Sequence, residues 1–281
     1  MRYFRPTTLA EALAIRRAQA VTVLAGGTDL YPAAASRRAW GDPAQPDILD
    51  ISAIPELRGI AEEGGHWRIG ALATWTDLIR ADLPPLLDGL KRAGRAVGGV
   101  QIQNRGTLVG NACTASPAGD GIPNLLALDA VFEVSGRDVP ARDFFTGYRT
   151  NAVGPQDLVT AIRIPKRAGR GHFEKLGARR YLVISIAMAA LAVETGPDGR
   201  VREARIAVGA CGPVARRLTA LEADLRGVPL AAAPGLVAAH HLADLAPIDD
   251  VRASAAYRRA AARALVADGL SALIETDRRA A

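Results

Sequence analysis

Gln101-Ile-Gln-Asn-Arg-Gly-Thr-Leu-Val-Gly-Asn-Ala-Cys-Thr-Ala-Ser-Pro-Ala-Gly-Asp120 is the stretch on which the reading of this chain turns. It packs Gly106, Gly110 and Gly119 among Asn104, Thr107, Asn111, Thr114, Ser116 and Asp120. Small side chains let another group approach the backbone closely. The hydroxyls and amides offer neutral hydrogen bonds to phosphate oxygens. Asp120, an acceptor when ionised, suits sugar hydroxyls and repels phosphate. So dense a run of small polar residues is costly in a core unless its polar groups are satisfied. A plain polar loop between strands would use the same residues.

Upstream, Val21-Thr-Val-Leu24 reads as a short buried strand, followed at once by Ala25-Gly-Gly-Thr-Asp-Leu30. Paired glycines open backbone conformations closed to other residues, so successive N–H groups can converge on an anion. A helix starting at Thr28 or Asp29 would add its positive end. A diphosphate is the natural guest, although a ligand-free strand-to-helix turn would look alike. The loop is neither G-x-G-x-x-G nor a Walker loop, so the common dinucleotide and nucleoside-triphosphate folds gain no support.

Around these loops the pattern mixes helices and strands. Thr8-x-x-Glu11 opens a helix to about Ala20, and Asp47–Ile51 reads as a second strand after a Pro/Gly-rich connection, Gly41 to Pro46. Trp67–Leu72 alternates as a strand, Thr74-x-x-Asp77 marks a helix start, and Pro84-Pro85 precede a helix to about Val97. Val131–Val134 and Asp157–Pro165 read as strands, the latter with Leu158, Thr160, Ile162 and Ile164 on one face. Lys166 to Gly171 is a plausible boundary. Beyond it, an apolar run from Tyr181 to Glu194, a Gly196-Pro-Asp-Gly199 turn and the alternation Ala204, Ile206, Val208, Ala210 predict paired strands. Helices are expected from Arg216, near Gly235–Leu245 and over Ser254–Ile274.

The chain has 281 residues, enough for two domains and a real core. Its two cysteines, Cys113 and Cys211, exclude a disulfide framework and an iron–sulfur cluster held by this chain alone. No apolar stretch is long enough to span a bilayer, and the start lacks a signal core, so a cytoplasmic protein without membrane insertion is expected. The net charge of +6 comes with acids interleaved and 5% aromatics, which argues against nucleic-acid binding. The basic run Arg163 to Arg180 is expected to be solvated or subunit-facing. His66, His172, His240 and His241 show no metal spacing, and no Ser/His/Asp arrangement is readable, so no catalytic or metal-ligating residue is assigned. Trp67 and Trp75 read as core.

The two loops, in order with Ile51-x-x-Ile-Pro-Glu-Leu-Arg-Gly-Ile60, Ile69-Gly-Ala-Leu72, Phe144-Phe-Thr-Gly-Tyr-Arg149, Lys175-x-Gly177, Ala207-Val-Gly209 and Ser254-x-x-Tyr-Arg258, resemble a known family. It is the FAD-binding (medium) subunit of the xanthine dehydrogenase/carbon monoxide dehydrogenase family of molybdenum hydroxylases. The resemblance covers nearly the whole chain. It implies an α+β fold: a two-subdomain FAD-binding domain of the PCMH type over 1–168 (about 1–57 and 58–168). A C-terminal flavoprotein domain of small antiparallel sheet plus helices would follow over 169–281. It also implies an FAD held by Val23, Leu24, Ala25, Gly26, Gly27, Thr28, Asp29 and Leu30 on one side. Gly106, Thr107, Gly110, Asn111 and Ser116 would face them; Asp120 would take the ribose, a main-chain group at Val159 would meet the flavin ring, and Lys175 would lie near it.

The family further implies an oxidoreductase complex, a heterotrimer with a small subunit carrying two [2Fe–2S] clusters and a large subunit carrying the molybdenum cofactor, paired as a dimer of heterotrimers. Electrons would pass from the clusters through FAD to an external acceptor. The sequence departs from the family at Val109, where a glycine is usual, at Gln103, where arginine is common, and at Arg179-Arg-Tyr-Leu-Val-Ile-Ser185, which lacks the acids often found there. Val109 keeps open a flavin-free structural or assembly subunit of the same complex. An independent flavoenzyme would need a base or nucleophile cluster that is not visible.

Overall fold

The computed structural model describes residues 1–42 and 46–280; part of the Gly41–Pro46 connection lies outside the described residues. The chain begins with β1 (Tyr3–Phe4), α1 (Leu9–Ala18), β2 (Thr22–Leu24), α2 (Leu30–Ala39) and β3 (Ile48–Asp50). Thr8 caps α1 by accepting from the Glu11 N–H, and α1 lies against β3. The three strands form a parallel sheet in the order β1-β3-β2. Its middle strand is buried throughout, as a parallel strand covered on both faces must be.

Next come β4 (Ile60–Glu63), β5 (His66–Gly70), α3 (Trp75–Arg80), α4 (Asp88–Ala96), α5 (Val100–Gln103), α6 (Leu108–Thr114), α7 (Gly121–Ala127), β6 (Val131–Val134) and β7 (Arg137–Pro140). Then follow α8 (Ala141–Phe144), the small pair β8 (Phe145–Gly147) and β9 (Thr150–Asn151), and β10 (Val159–Pro165). Five strands build an antiparallel sheet, β4-β5-β10-β6-β7. The strand expected over 157–165 forms, from Val159 onward. β10 is the central strand, and Leu158 through Ile162 are all buried, so both faces are covered. Thr74 and Asp77 form a reciprocal capping box that starts α3 and sinks Trp75 into the core at 1% exposure.

The rest comprises β11 (Arg170–Leu176), β12 (Ala187–Thr195), β13 (Val201–Gly209), β14 (Arg216–Arg217), α9 (Thr219–Leu225) and α10 (Ala255–Ala280). The four strands pair in sequence order, all antiparallel. The hairpin between β12 and β13 closes over the turn at 196–199, with Gly199 at φ +71°. The apolar run starts its strand later than expected: Tyr181 and Ile184 stand exposed in a loop, and the strand begins at Ala187. Over 235–245 there is no α-helix. Leu230–Leu236 and Ala239–Leu242 are 3-10 turns, and Pro234 removes an amide an α-helix would need.

Helices α4 and α7 lie against β11, β12 and β13, while α10 packs on β11 and β12. All seven residues of α7 are buried, because α6, β12 and β13 surround it. Arg205, 2% exposed on β13, donates to the Ala127 carbonyl, and Arg217 to that of Leu126. Both pair with Asp129 just beyond the helix. Two arginines of the last sheet therefore satisfy the C-terminal end of α7. No described helix is long and apolar enough to cross a membrane.

Candidate functional site

The first glycine loop links β2 to α2. Gly27 takes φ +75°, a conformation that a side chain disfavours. The turn reverses the chain so that the Tyr31 N–H reaches the Gly27 carbonyl and α2 begins. Among the described residues, no acceptor lies within hydrogen-bond reach of the amides of Gly26, Gly27, Thr28, Asp29 or Leu30. These donors cluster at the N-terminal end of a ten-residue helix. Unsatisfied donors at the positive end of a helix favour an anion. Val23 and Leu24 belong to the strand instead, and the Leu24 carbonyl is occupied by the Ile51 N–H.

The second stretch is only partly loop: it opens inside α5 and residues 108–114 form α6, a correction to the loop reading there, while 104–107 and 115–120 lie outside helices. Thr107 caps α6: its hydroxyl accepts from the Gly110 N–H at 2.9 Å. Ala115 ends the helix in the left-handed region, at φ 47°. Val109 sits inside α6, 4% exposed in the core, and its φ is not positive. The branched side chain therefore meets no backbone obstacle. Gln103 spans the site of the usual arginine by donating its amide to the Arg95 and Val97 carbonyls at the end of α4.

The two glycine stretches touch backbone to backbone. A Cβ at Gly26 would fall against the Arg105 carbonyl, 2.7 Å from its carbon and 3.0 Å from the Gly106 Cα. Thr28 Oγ1 lies on the other side of Gly106, and the Thr114 hydroxyl donates to Asp29 at 3.3 Å. Gly26, Thr28, Asp29, Gly106 and Thr114 thus form one seam. Asn111 carries it onward by accepting from the Gly121 N–H at 3.2 Å. Ser116 makes a turn bond with the Ala118 N–H.

Asp120 stands at the start of α7 and is 4% exposed. Its carboxylate accepts from Lys175 Nζ at 2.6 Å and from the Ser185 hydroxyl at 2.6 Å. Burial pushes its pKa up; Lys175 and Ser185 oppose that. The sequence signalled Asp120 and Lys175 but not their contact, and nothing in it signalled Ser185, 65 residues away. Val159 opens β10 paired with Val134, and no described contact joins it to the seam.

The donor set suits a dinucleotide. Free amides and neutral hydroxyls lie at the glycine seam, as phosphate recognition requires, the Asp29 carboxylate there being engaged by the Thr114 hydroxyl, and Asp120 is an acceptor that suits sugar hydroxyls. Two tempting groups do not belong to the site. Cys113 is half-buried, and burial pushes its thiol up to about 12, away from reactivity. Asp224, His240 and His241 cluster, but His241 Nδ1 accepts from the Ala238 N–H. Its Nε2 therefore carries the proton and donates to Asp224 at 3.0 Å, leaving no lone pair there for a metal. The basic run is largely engaged within the chain: Arg163 pairs with Glu133 and Asp138, Lys166 with Glu62, and Arg167 with Asp129.

The family model described as the FAD binding domain in molybdopterin dehydrogenase matches residues 1–167. That of the CO dehydrogenase flavoprotein C-terminal domain matches residues 172–273. The carbon monoxide dehydrogenase medium chain of Hydrogenophaga pseudoflava is 32% identical, over 96% of this chain and 96% of its own length. The nicotine 6-hydroxylase medium subunit of Paenarthrobacter nicotinovorans is 30% identical over 95% of this chain and 94% of its own. A solved structure of the Hydrogenophaga pseudoflava carbon monoxide dehydrogenase superposes with a TM-score of 0.87, covering 98% of this chain and 97% of that one. The glycine seam, the three sheets and both family models agree: this chain belongs to the FAD-binding medium subunits of the carbon monoxide dehydrogenase and xanthine dehydrogenase type of molybdenum hydroxylase, a family of oxidoreductases.

Proposed function

We propose that the chain holds FAD at the glycine seam and serves as the electron-transferring subunit of a heterotrimeric hydroxylase. Its partners are a small subunit with two [2Fe–2S] clusters and a large subunit with the molybdenum cofactor, and two such trimers pair. The FAD-binding domain spans 1–168 and the flavoprotein C-terminal domain 169–281. The observation that carries this reading is the row of unpaired amides from Gly26 to Leu30 in a loop that meets Arg105, Gly106 and Thr114 of the second stretch. What FAD supplies there is reversible electron storage between the partner's clusters and an external acceptor.

The chain's own residues bind and orient. Amides of the first loop hold the diphosphate, and α2 adds its positive end. Thr107 holds the start of α6 by accepting from the Gly110 N–H at its hydroxyl and from the Asn111 N–H at its carbonyl, which fixes the opposite wall. Asp120, held by Lys175 and Ser185, offers its remaining lone pairs to sugar hydroxyls. Lys175 brings the cation that stabilises negative charge on a reduced ring. No base or nucleophile is assigned, because the organic substrate reacts on another subunit. Purified full-length chain should show flavin absorbance or gain it on incubation with FAD, at one FAD per chain. A chain that takes up none refutes the reading.

A further inference from the structure

The loop between β11 and β12 has an unusual base. Its neck is closed by the Ile186 N–H donating to the Leu176 carbonyl at 2.8 Å. Lys175, just before the neck, and Ser185, just inside it, both end on the Asp120 carboxylate. Ser185 is 2% exposed, whereas the loop above it is open: Tyr181 is 54%, Leu182 43% and Ile184 52% exposed. Leu182 holds a left-handed backbone, φ 53°, and its carbonyl is gripped by the Arg179 guanidinium. An exposed loop is thus fastened at its root to one buried carboxylate on a different part of the chain.

We propose that Ser185 is a positioning residue of the flavin site. Its hydroxyl clamps one oxygen of Asp120, which sets the second oxygen against Lys175 and keeps the carboxylate ionised in a buried place. This rests on the reading that the seam holds FAD, and it adds a residue that the glycine motifs do not contain. The physical case is a balance. Burial raises the Asp120 pKa, and the opposing groups are the Lys175 ammonium and the Ser185 hydroxyl. A carboxyl that takes up a proton loses its charge-assisted bond to Lys175 and its value as an acceptor for sugar hydroxyls.

Other charged groups near Asp120 are committed elsewhere. On β11, His172 and Glu174 bond each other on the face opposite Lys175, and Arg92 of α4 joins Glu174 and the Phe173 carbonyl. On β13 and β14, Arg205 and Arg217 hold the far end of α7. From α6 the nearest contribution is Asn111, which does not titrate. Asn124 of α7 donates to the Asp120 main-chain carbonyl, not to its carboxylate.

The test titrates full-length wild type, Ser185→Ala and Ser185→Thr with FAD from pH 5 to pH 9, following flavin fluorescence, with thermal melts to confirm folding. Ser185→Ala should bind FAD about tenfold more weakly at pH 6, the scale of one lost hydrogen bond to a charged group. Its affinity should begin to fall at a higher pH than that of wild type, and the gap should narrow by pH 9. Ser185→Thr, which restores a hydroxyl, should return toward wild type. A Ser185→Ala curve that overlays wild type, or lies below it by the same factor at every pH, overturns the proposal while leaving FAD binding intact. A wild type that binds no FAD at any pH overturns the underlying reading and this proposal with it.

Discussion

Gly26→Ala tests the seam most directly. The added Cβ would stand 2.7 Å from the carbonyl carbon of Arg105 and 3.0 Å from the Gly106 Cα, both backbone atoms that cannot swing away. Ordinary carbon–carbon contact needs about 3.5–4.0 Å, so the two glycine stretches must separate by about 1 Å. A hydrogen bond of about 2.9 Å stretched by that much is lost. If two amide–phosphate bonds go, at about 1.5 kcal/mol or more each, binding weakens by about 3 kcal/mol, or on the order of a hundredfold. Overpacking itself should cost about 1–3 kcal/mol of stability. The control is Gly65→Ala, a surface position where a Cβ meets nothing within 4 Å. Fluorescence titration of both variants with FAD, alongside melts, should show Gly26→Ala severely impaired and Gly65→Ala like wild type. A Gly26→Ala variant that binds within threefold of wild type would show that contact between the two stretches does not shape the cradle.

Thr74→Ala removes the reciprocal cap of α3, so a loss of about 1 kcal/mol and a melt lower by about 2–4 °C are expected; an unchanged melt would mean the box is idle. Asp250 has its pKa lowered to about 2, first by the Arg252 N–H and then by the Arg258 guanidinium. A depressed carboxyl contributes stability that is complete above its usual value near 3.8 and is lost as pH falls through about 2. Denaturant melts should therefore show stability declining from pH 4 to pH 2, with a shallower slope in Asp250→Asn; Asp47, Asp157, Glu174 and Glu203, also lowered, keep it from vanishing. Reversing Arg179 and Arg180 to Glu together, on the exposed loop above Ser185, should reduce co-purification with the iron–sulfur and molybdenum subunits, and full recovery of the complex would reject that docking face.

Local rules carried much of this fold. Thr74-x-x-Asp77 reads as a capping box and forms one, because both partners lie within four residues of chain. Thr8-x-x-Glu11 forms half of one: Thr8 accepts from Glu11, but the Glu11 carboxylate takes the Thr7 N–H. The second glycine stretch misled because Gly, Asn and Thr weigh against helix by propensity. The seven-residue helix α6 persists there because burial of Leu108, Val109 and Ala112 supports it. At β10 the alternation marked one apolar face, and the second face is buried too because the strand is central and covered on both sides. The sequence pattern marked Gly26, Gly106 and Thr107, which the fold brings to the junction of the two glycine stretches. Ser185 was not marked, since its role depends on a partner that only the folded chain brings near.

Helix α7 ties the two halves of the chain together. A seven-residue helix has few internal bonds and cannot hold itself. Here both ends are gripped by the last sheet and its loops. At the start, Asp120 places a negative charge at the positive end of the helix and is itself held by Lys175 and Ser185. At the finish, Arg205 and Arg217 place positive charges on the carbonyls of Ala127 and Leu126. Asp120, Arg205 and Arg217 each have the sign the helix dipole favours at their end, and two of these three come from beyond residue 168. The geometry of Asp120 therefore depends on the carboxy-terminal sheet as much as on the glycine seam. Cutting the chain after residue 168 should leave the first loop intact, yet abolish the ordering of Asp120. A fragment of residues 1–168 that binds FAD as tightly as the whole chain would contradict this dependence.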